Sequence, residues 1–121
     1  MPDTSSEKPY DLEERTFQFA KEVRLFIKSL PKTIAKIEDA KQLIRASGSV
    51  GANYREANEA LSKKDFLMCV KLSRKEAKES AYWLRLIQET NRLDNKHQSQ
   101  QLFQEANELL KILSSILEKS K

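Results

Sequence analysis

Residues 42–86 read QLIRASGSVGANYREANEALSKKDFLMCVKLSRKEAKESAYWLRL, and this stretch decides the architecture. Near its middle, Ser62-Lys63-Lys64-Asp65 fits a capping box. The Ser62 hydroxyl is placed to accept from the Asp65 backbone N–H, and the Asp65 carboxylate from the Ser62 N–H. One helix therefore ends at about Leu61 and another begins. Upstream, Ile37, Ala40, Ile44, Ser47, Gly51, Tyr54, Asn58 and Leu61 fall three or four apart, the spacing of a helical stripe. Downstream, Phe66, Val70, Ser73, Ala77, Ala81, Leu84 and Ile87 repeat it.

The chain's 2 glycines, Gly48 and Gly51, both sit in the first of these helices. Each costs a helix interior roughly 1 kcal/mol relative to alanine. Close approach is the expected compensation: Ser47, Gly48, Gly51 and Ala52 leave a shallow spot for a neighbouring helix or a ring such as Trp83. A kink at residues 46–49 is the alternative, although the periodicity runs through it.

Working outward, Asp11-Leu12-Glu13-Glu14 is a second capping box, with acidic residues where the helix dipole favours them. Leu12, Thr16, Phe19, Val23, Phe26 and Leu30 then alternate by four and three up to Pro31, the spacing of a bundle seam. A last helix begins between Asp94 and Ser99, with Leu102, Ala106, Leu109, Leu113 and Ile116 facing in. Leu110, Ile112 and Leu117 widen its apolar face. With 2 Gly and 3 Pro against 33% charged residues, there is little from which to build strands and long loops. The expectation is an all-α fold, an antiparallel up-down-up-down four-helix bundle over residues 11–121, preceded by a flexible polar leader over residues 1–10. Apolar residues beyond a single seam, including Phe17, Leu25, Leu67, Leu72, Leu110 and Leu117, predict a contact surface between copies.

No apolar run approaches the roughly 18 residues of a membrane span. The single cysteine, Cys69, has no internal disulfide partner, which fits a reducing cytoplasm. His97 is the only histidine, so the Glu-x-x-His pairs of a di-metal bundle are absent, as are a Gly-rich phosphate loop and a Cys-x-x-Cys pair. No catalytic residue, metal site or cofactor is expected.

Charge is concentrated from Ser62 to Arg92, where 8 basic residues face 4 acidic ones, an excess equal to the chain's net +4. Lys64, Lys71, Lys78, Arg85 and Arg92 are spaced seven apart and form a slowly drifting row, with Arg74 and Lys75 beside it. Such a row suits the phosphates of structured RNA or DNA; the competing readings are a solvated face or a rim pairing with acids of a neighbouring subunit. The acids Glu56, Glu59, Glu76 and Glu79 are expected to pair with Arg45, Arg55, Lys75 and Lys78 or to solvate a face, in preference to holding a metal. Asn53 and Glu56 are candidates to join Glu76 and Glu79 in a polar network between the two central helices.

Residues 11–17 (DLEERTF), 19–20 (FA), 42–45 (QLIR), 49–57 (SVGANYREA), 62–66 (SKKDF), 75–79 (KEAKE) and 82–84 (YWL) also carry a family resemblance. In this order the chain resembles the bacterial four-helix bundle proteins named after intervening sequences in 23S ribosomal RNA genes. That family is in turn similar to the accessory protein of diversity-generating retroelements, a pentameric bundle that binds nucleic acid and a reverse transcriptase. The resemblance implies a non-enzymatic, cytoplasmic homopentamer with RNA, DNA or a protein as partner. The chain departs from the family pattern at Met68-Cys69, where a His-Lys pair is expected, and its last helix carries no family motif.

Overall fold

The computed structural model describes residues 11–120, and the leader expected over residues 1–10 lies outside them. Four helices follow in chain order: α1 (Leu12–Lys28), α2 (Ile34–Asn58), α3 (Lys63–Thr90) and α4 (Lys96–Lys119). At 1.5 Å per residue they run from about 26 to about 42 Å. Short connections turn each helix back on the last. The chain neighbours α1·α2, α2·α3 and α3·α4 pack together and α1 closes against α4, with no diagonal pairing. The result is the expected antiparallel four-helix bundle.

Side-chain chemistry sets the ends. Asp11 Oδ1 accepts from the Glu14 N–H at 3.1 Å and Ser62 Oγ from the Asp65 N–H at 3.0 Å, the forward halves of both boxes. Neither box makes its return bond; the Glu14 carboxylate instead accepts from the Gln18 amide. Thr33 caps α2 through Lys36 N–H, a signal that sequence inspection passed over. α2 stops at Asn58, three residues short of the expected Leu61, because the Glu59 and Ala60 N–H groups fall back on carbonyls three residues earlier. Leu61 is consequently in the turn and 98% exposed. α1 ends at Lys28, two residues before Leu30, since proline at 31 disfavours helical backbone in the residue before it.

The α1 seam is as expected, with Leu12, Thr16, Phe19, Val23, Phe26 and Leu30 all buried. In α3, Val70, Ser73, Ala77, Ala81, Leu84 and Ile87 are buried; in α4, Leu102, Ala106, Leu109, Leu113 and Leu117. The α2 stripe needs correction. Its buried line is Leu43, Ala46, Val50 and Ala57, with Ala40, Ser47 and Gly51 beside it, while Ile37 and Asn58 are exposed. Ser47 and Gly51 mark the edge of the buried face that meets α1, not its centre.

The helix runs unbroken through residues 46–49. What rests on its glycines is α1 and not Trp83: a Cβ on Gly51 would lie 3.0 Å from Thr16 Oγ1, and one on Gly48 3.1 Å from Arg24 Nη2. Trp83 is only half-buried, packing on the core with its ring edge-on to exposed Tyr82 at 5.1 Å.

The two glycines should therefore respond oppositely to alanine. At Gly51 the added methyl meets a short, β-branched side chain whose hydroxyl is already bonded to Leu12 O at 2.6 Å, so overpacking of about 1–3 kcal/mol outweighs the gain in helix propensity. At Gly48 it meets the far end of a flexible arginine, and stability should rise by up to about 1 kcal/mol. Urea unfolding midpoints of Gly48→Ala and Gly51→Ala check both signs.

Candidate nucleic-acid interface

The rotation of α3 positions its surface residues. Serines and alanines let α3 approach α2 closely, and buried Ser73 Oγ donates to Val50 O across the helix gap at 2.7 Å. With Val70, Ser73, Ala77 and Leu84 turned inward, the opposite face, half a turn away, carries Met68, Leu72, Lys75, Glu79, Tyr82 and Leu86. Lys64, Lys71, Lys78 and Arg85 run along its flank, about 10 Å apart, on the side away from α2.

All four of these cations are exposed. Lys64, Lys71 and Lys78 make no ion pair among the described residues, whereas Arg85 Nε donates to Glu89 at 2.8 Å, a bond that raises the affinity of the guanidinium for its proton. Arg74 is half-buried, and Lys75 lies 3.9 Å from Glu79. Arg92, expected to end the row, sits beyond the helix, because α3 stops at Thr90 and Asn91 turns to extended backbone. The helical row thus has four members.

The opposite flank of α3 is acidic and tied to α2. Arg45 reaches across to both central acids, Nη2 bonding Glu79 Oε1 at 2.8 Å and Nη1 bonding Glu76 Oε2 at 3.3 Å. Glu76 Oε1 lies 3.2 Å from Nη2 but outside hydrogen-bond geometry. Asn53 and Glu56 stand apart from this cluster. The Asn53 amide donates to Ser49 O in its own helix, and the exposed Glu56 carboxylate has no partner among the described residues. Arg55 and Asn58 turn instead to Glu13 of α1.

Sequence inspection missed the groups that fix α1. Arg15 forks onto Glu105 with bonds of 2.7 and 2.8 Å and onto Glu108 at 2.8 Å, closing the α1–α4 seam. Arg24 lies across Gly48 and donates to Ala20 O, Ile44 O and Ser47 Oγ. No periodicity argument pairs residues about ninety positions apart. The apolar surplus also differs from expectation. Phe17, Leu25 and Leu72 are exposed, and with them Met68 and Tyr82; Leu67 and Leu110 are half-buried and Leu117 is buried.

Among the described residues no group of three or more His, Cys, Asp or Glu side chains is placed to hold a metal ion, and no helix is long and apolar enough to cross a membrane. A groove of about 320 Å³ between α1 and α2 is floored by Ile27, Leu30, Ile37, Ala40 and Ile44 and edged by Lys32, Lys36 and Lys41.

These features define an antiparallel four-helix bundle with a polarised third helix. Residues 9–115 match the model of the 23S rRNA-intervening sequence protein family, and the chain belongs to that family. It is similar to the crystal structure of a protein with unknown function from the S23 ribosomal protein family of Bacteroides thetaiotaomicron VPI-5482. The two share 29% identity at a TM-score of 0.76, over 87% of this chain and 96% of that one. No curated protein is significantly similar.

The Arg15 clamp makes stability pH-dependent. Hydrogen bonds from Gln104 and then Arg15 hold the Glu108 carboxyl below its ordinary range. A carboxylate with a depressed native pKa contributes stability that is present above its unfolded value, about 4.3, and lost as pH falls through the native one. Urea midpoints should fall from pH 5 to pH 3, and Glu108→Gln should lower the midpoint at pH 7 and flatten the decline below pH 4.

Proposed function

We propose that this chain is a non-enzymatic, homo-oligomeric bundle that contacts structured RNA or DNA through the phosphate backbone, using the row Lys64, Lys71, Lys78 and Arg85. The observation that carries this reading is the combination of exposure and lack of partners: three lysines on one helix flank are offered to solvent with no counter-charge among the described residues. Arg74, Lys75 and Arg92 extend the positive field around them. Binding of this kind is shape-dependent, weakly sequence-specific and steeply sensitive to salt, since its free energy comes largely from released counterions. Among the described residues the aromatic side chains form no stacking platform for bases.

A closed ring is the assembly we propose, a pentamer in the cytoplasm, on the grounds of the apolar side chains left exposed at Phe17, Leu25 and Leu72 and of the resemblance to the pentameric retroelement accessory protein. A second reading, a scaffold that presents a ring surface to a protein such as a reverse transcriptase, draws on exposed Phe17 and Leu25 of α1.

Changing Lys64, Lys71 and Lys78 together to glutamine should leave the circular dichroism and the mass by light scattering unchanged. It should weaken binding to unrelated RNA and DNA duplexes alike and flatten the slope of log affinity against log salt by about 0.7–0.9 for each lost phosphate contact. Arg85→Gln should cost less, its charge being already engaged by Glu89. Unchanged affinity in the triple variant would assign the row to plain solvation.

A further inference from the structure

The groove between α1 and α2 combines an apolar floor with a cationic rim. Ile27 and Leu30 of α1 face Ile37, Ala40 and Ile44 of α2 across a volume of about 320 Å³. Three of these side chains are incompletely covered: Ile37 is 40% exposed, and Ile27 and Ile44 are half-buried. Residues 36, 37, 40, 41 and 44 share one face of α2, so the trough runs about 12 Å along that helix.

The charge around it is all of one sign. Lys32, Lys36 and Lys41 edge the groove, and among the described residues no carboxylate lines it. Lys32 and Lys36 make no ion pair among the described residues. Lys41 lies 3.6 Å from Glu38, beyond hydrogen-bond distance, in an exposed pair that holds it weakly. Covering this floor with an apolar surface brings the occupant against the ammonium groups at its edge, which must then keep their water or meet opposite charge. A neutral or basic occupant supplies no such charge; an acidic one does.

From this geometry we infer that the α1–α2 groove is a docking site for an acidic amphipathic helix of a partner protein. Apolar anchors at i, i+4 and i+7 of such a helix span about 10 Å and fill the trough, with carboxylates on their flanks meeting the lysines. The spread of the cations favours this occupant over a single-headed anionic amphiphile. Lys36 and Lys41 stand five residues, about 7.5 Å, apart along α2, whereas one headgroup sits at one end. The apolar floor disfavours nucleic acid, which is held through its phosphates. The groove belongs to α1 and α2, and the row Lys64, Lys71 and Lys78 to the flank of α3 turned away from α2. The two surfaces are separate, and the inference does not depend on the nucleic-acid reading.

The probe is a fluorescein-labelled peptide of about four helical turns, with leucines at i, i+4 and i+7 and glutamates on either side, titrated with the full chain and read by fluorescence anisotropy. It should bind, and the same peptide with lysine in place of glutamate should not. Lys32→Glu with Lys36→Glu keeps the fold, since Lys32 is exposed in the turn and an acid at 36 suits the first turn of α2. That double variant should weaken the acidic peptide at least about tenfold and bring on binding of the lysine peptide. Ile37→Ser should weaken the acidic peptide about fivefold and leave the affinity for duplex RNA unchanged. Equal affinity of the unaltered chain for both peptides, or acidic-peptide binding that neither variant moves, would overturn the inference. Loss of duplex RNA binding in the double variant with peptide binding unmoved would also overturn it and make the rim a phosphate track. Binding to phosphatidylglycerol vesicles that Ile37→Ser abolishes, with no peptide bound, would overturn it in favour of a lipid.

Discussion

The approach of α3 to α2 is the constraint on which the rest of the molecule depends. Ala46 and Val50 on one side and Ser73, Ala77 and Ser80 on the other are all buried and small enough to bring the backbones together. The Ser73 hydroxyl donating to Val50 O fixes the rotation and register of the pair with one directional bond. Once α3 is so turned, its other surfaces follow from 100° per residue: acids toward Arg45, lysines on the far flank, apolar residues outward. A rotation of one position would bury Lys71 or Lys78 and expose the core line. The long reach of Arg45 to Glu76 and Glu79 fastens the same interface from outside.

The first and last helices are added to this pair by different chemistry. α1 is the shortest helix, and its seam with α4 is the smallest of the four contacts. Polar anchors complement its apolar stripe: the Arg15 fork on α4 and, against α2, Arg24 lying over Gly48 and Thr16 seated against Gly51. Exposed ion pairs contribute little, but a bidentate arginine shared by two carboxylates, about a quarter exposed, restrains geometry more than a single surface pair does.

Much of this was legible in the chain. The seams of α1 and α3 and the four-helix count followed from spacing and caps, since apolar periodicity and short connections are local properties. The α2 stripe was misplaced because small residues mark where a neighbour comes close, and such a place can lie at the edge of a buried face. The end of α2 was misjudged because Leu61 fits the apolar spacing while the backbone had already turned. The surface row was legible as a pattern, except that Arg92 falls past the helix end. Which cations are paired was not: Glu89 claims Arg85 four residues away, but Arg15 finds its acids only after the fold brings α4 beside α1. The clearance over Gly48 and Gly51 likewise belongs to tertiary structure.

If the α2–α3 contact is the frame, it must also be the last part to open. Native-state hydrogen exchange reads this directly, residue by residue. The slowest amides should lie in residues 43–57 of α2 and 70–87 of α3 and exchange only through global unfolding, while α1 opens by a lower-energy route that leaves the central pair protected. Protection in α1 equal to or greater than that of the α2–α3 pair, or early exchange around Val50 and Ser73, would contradict the account.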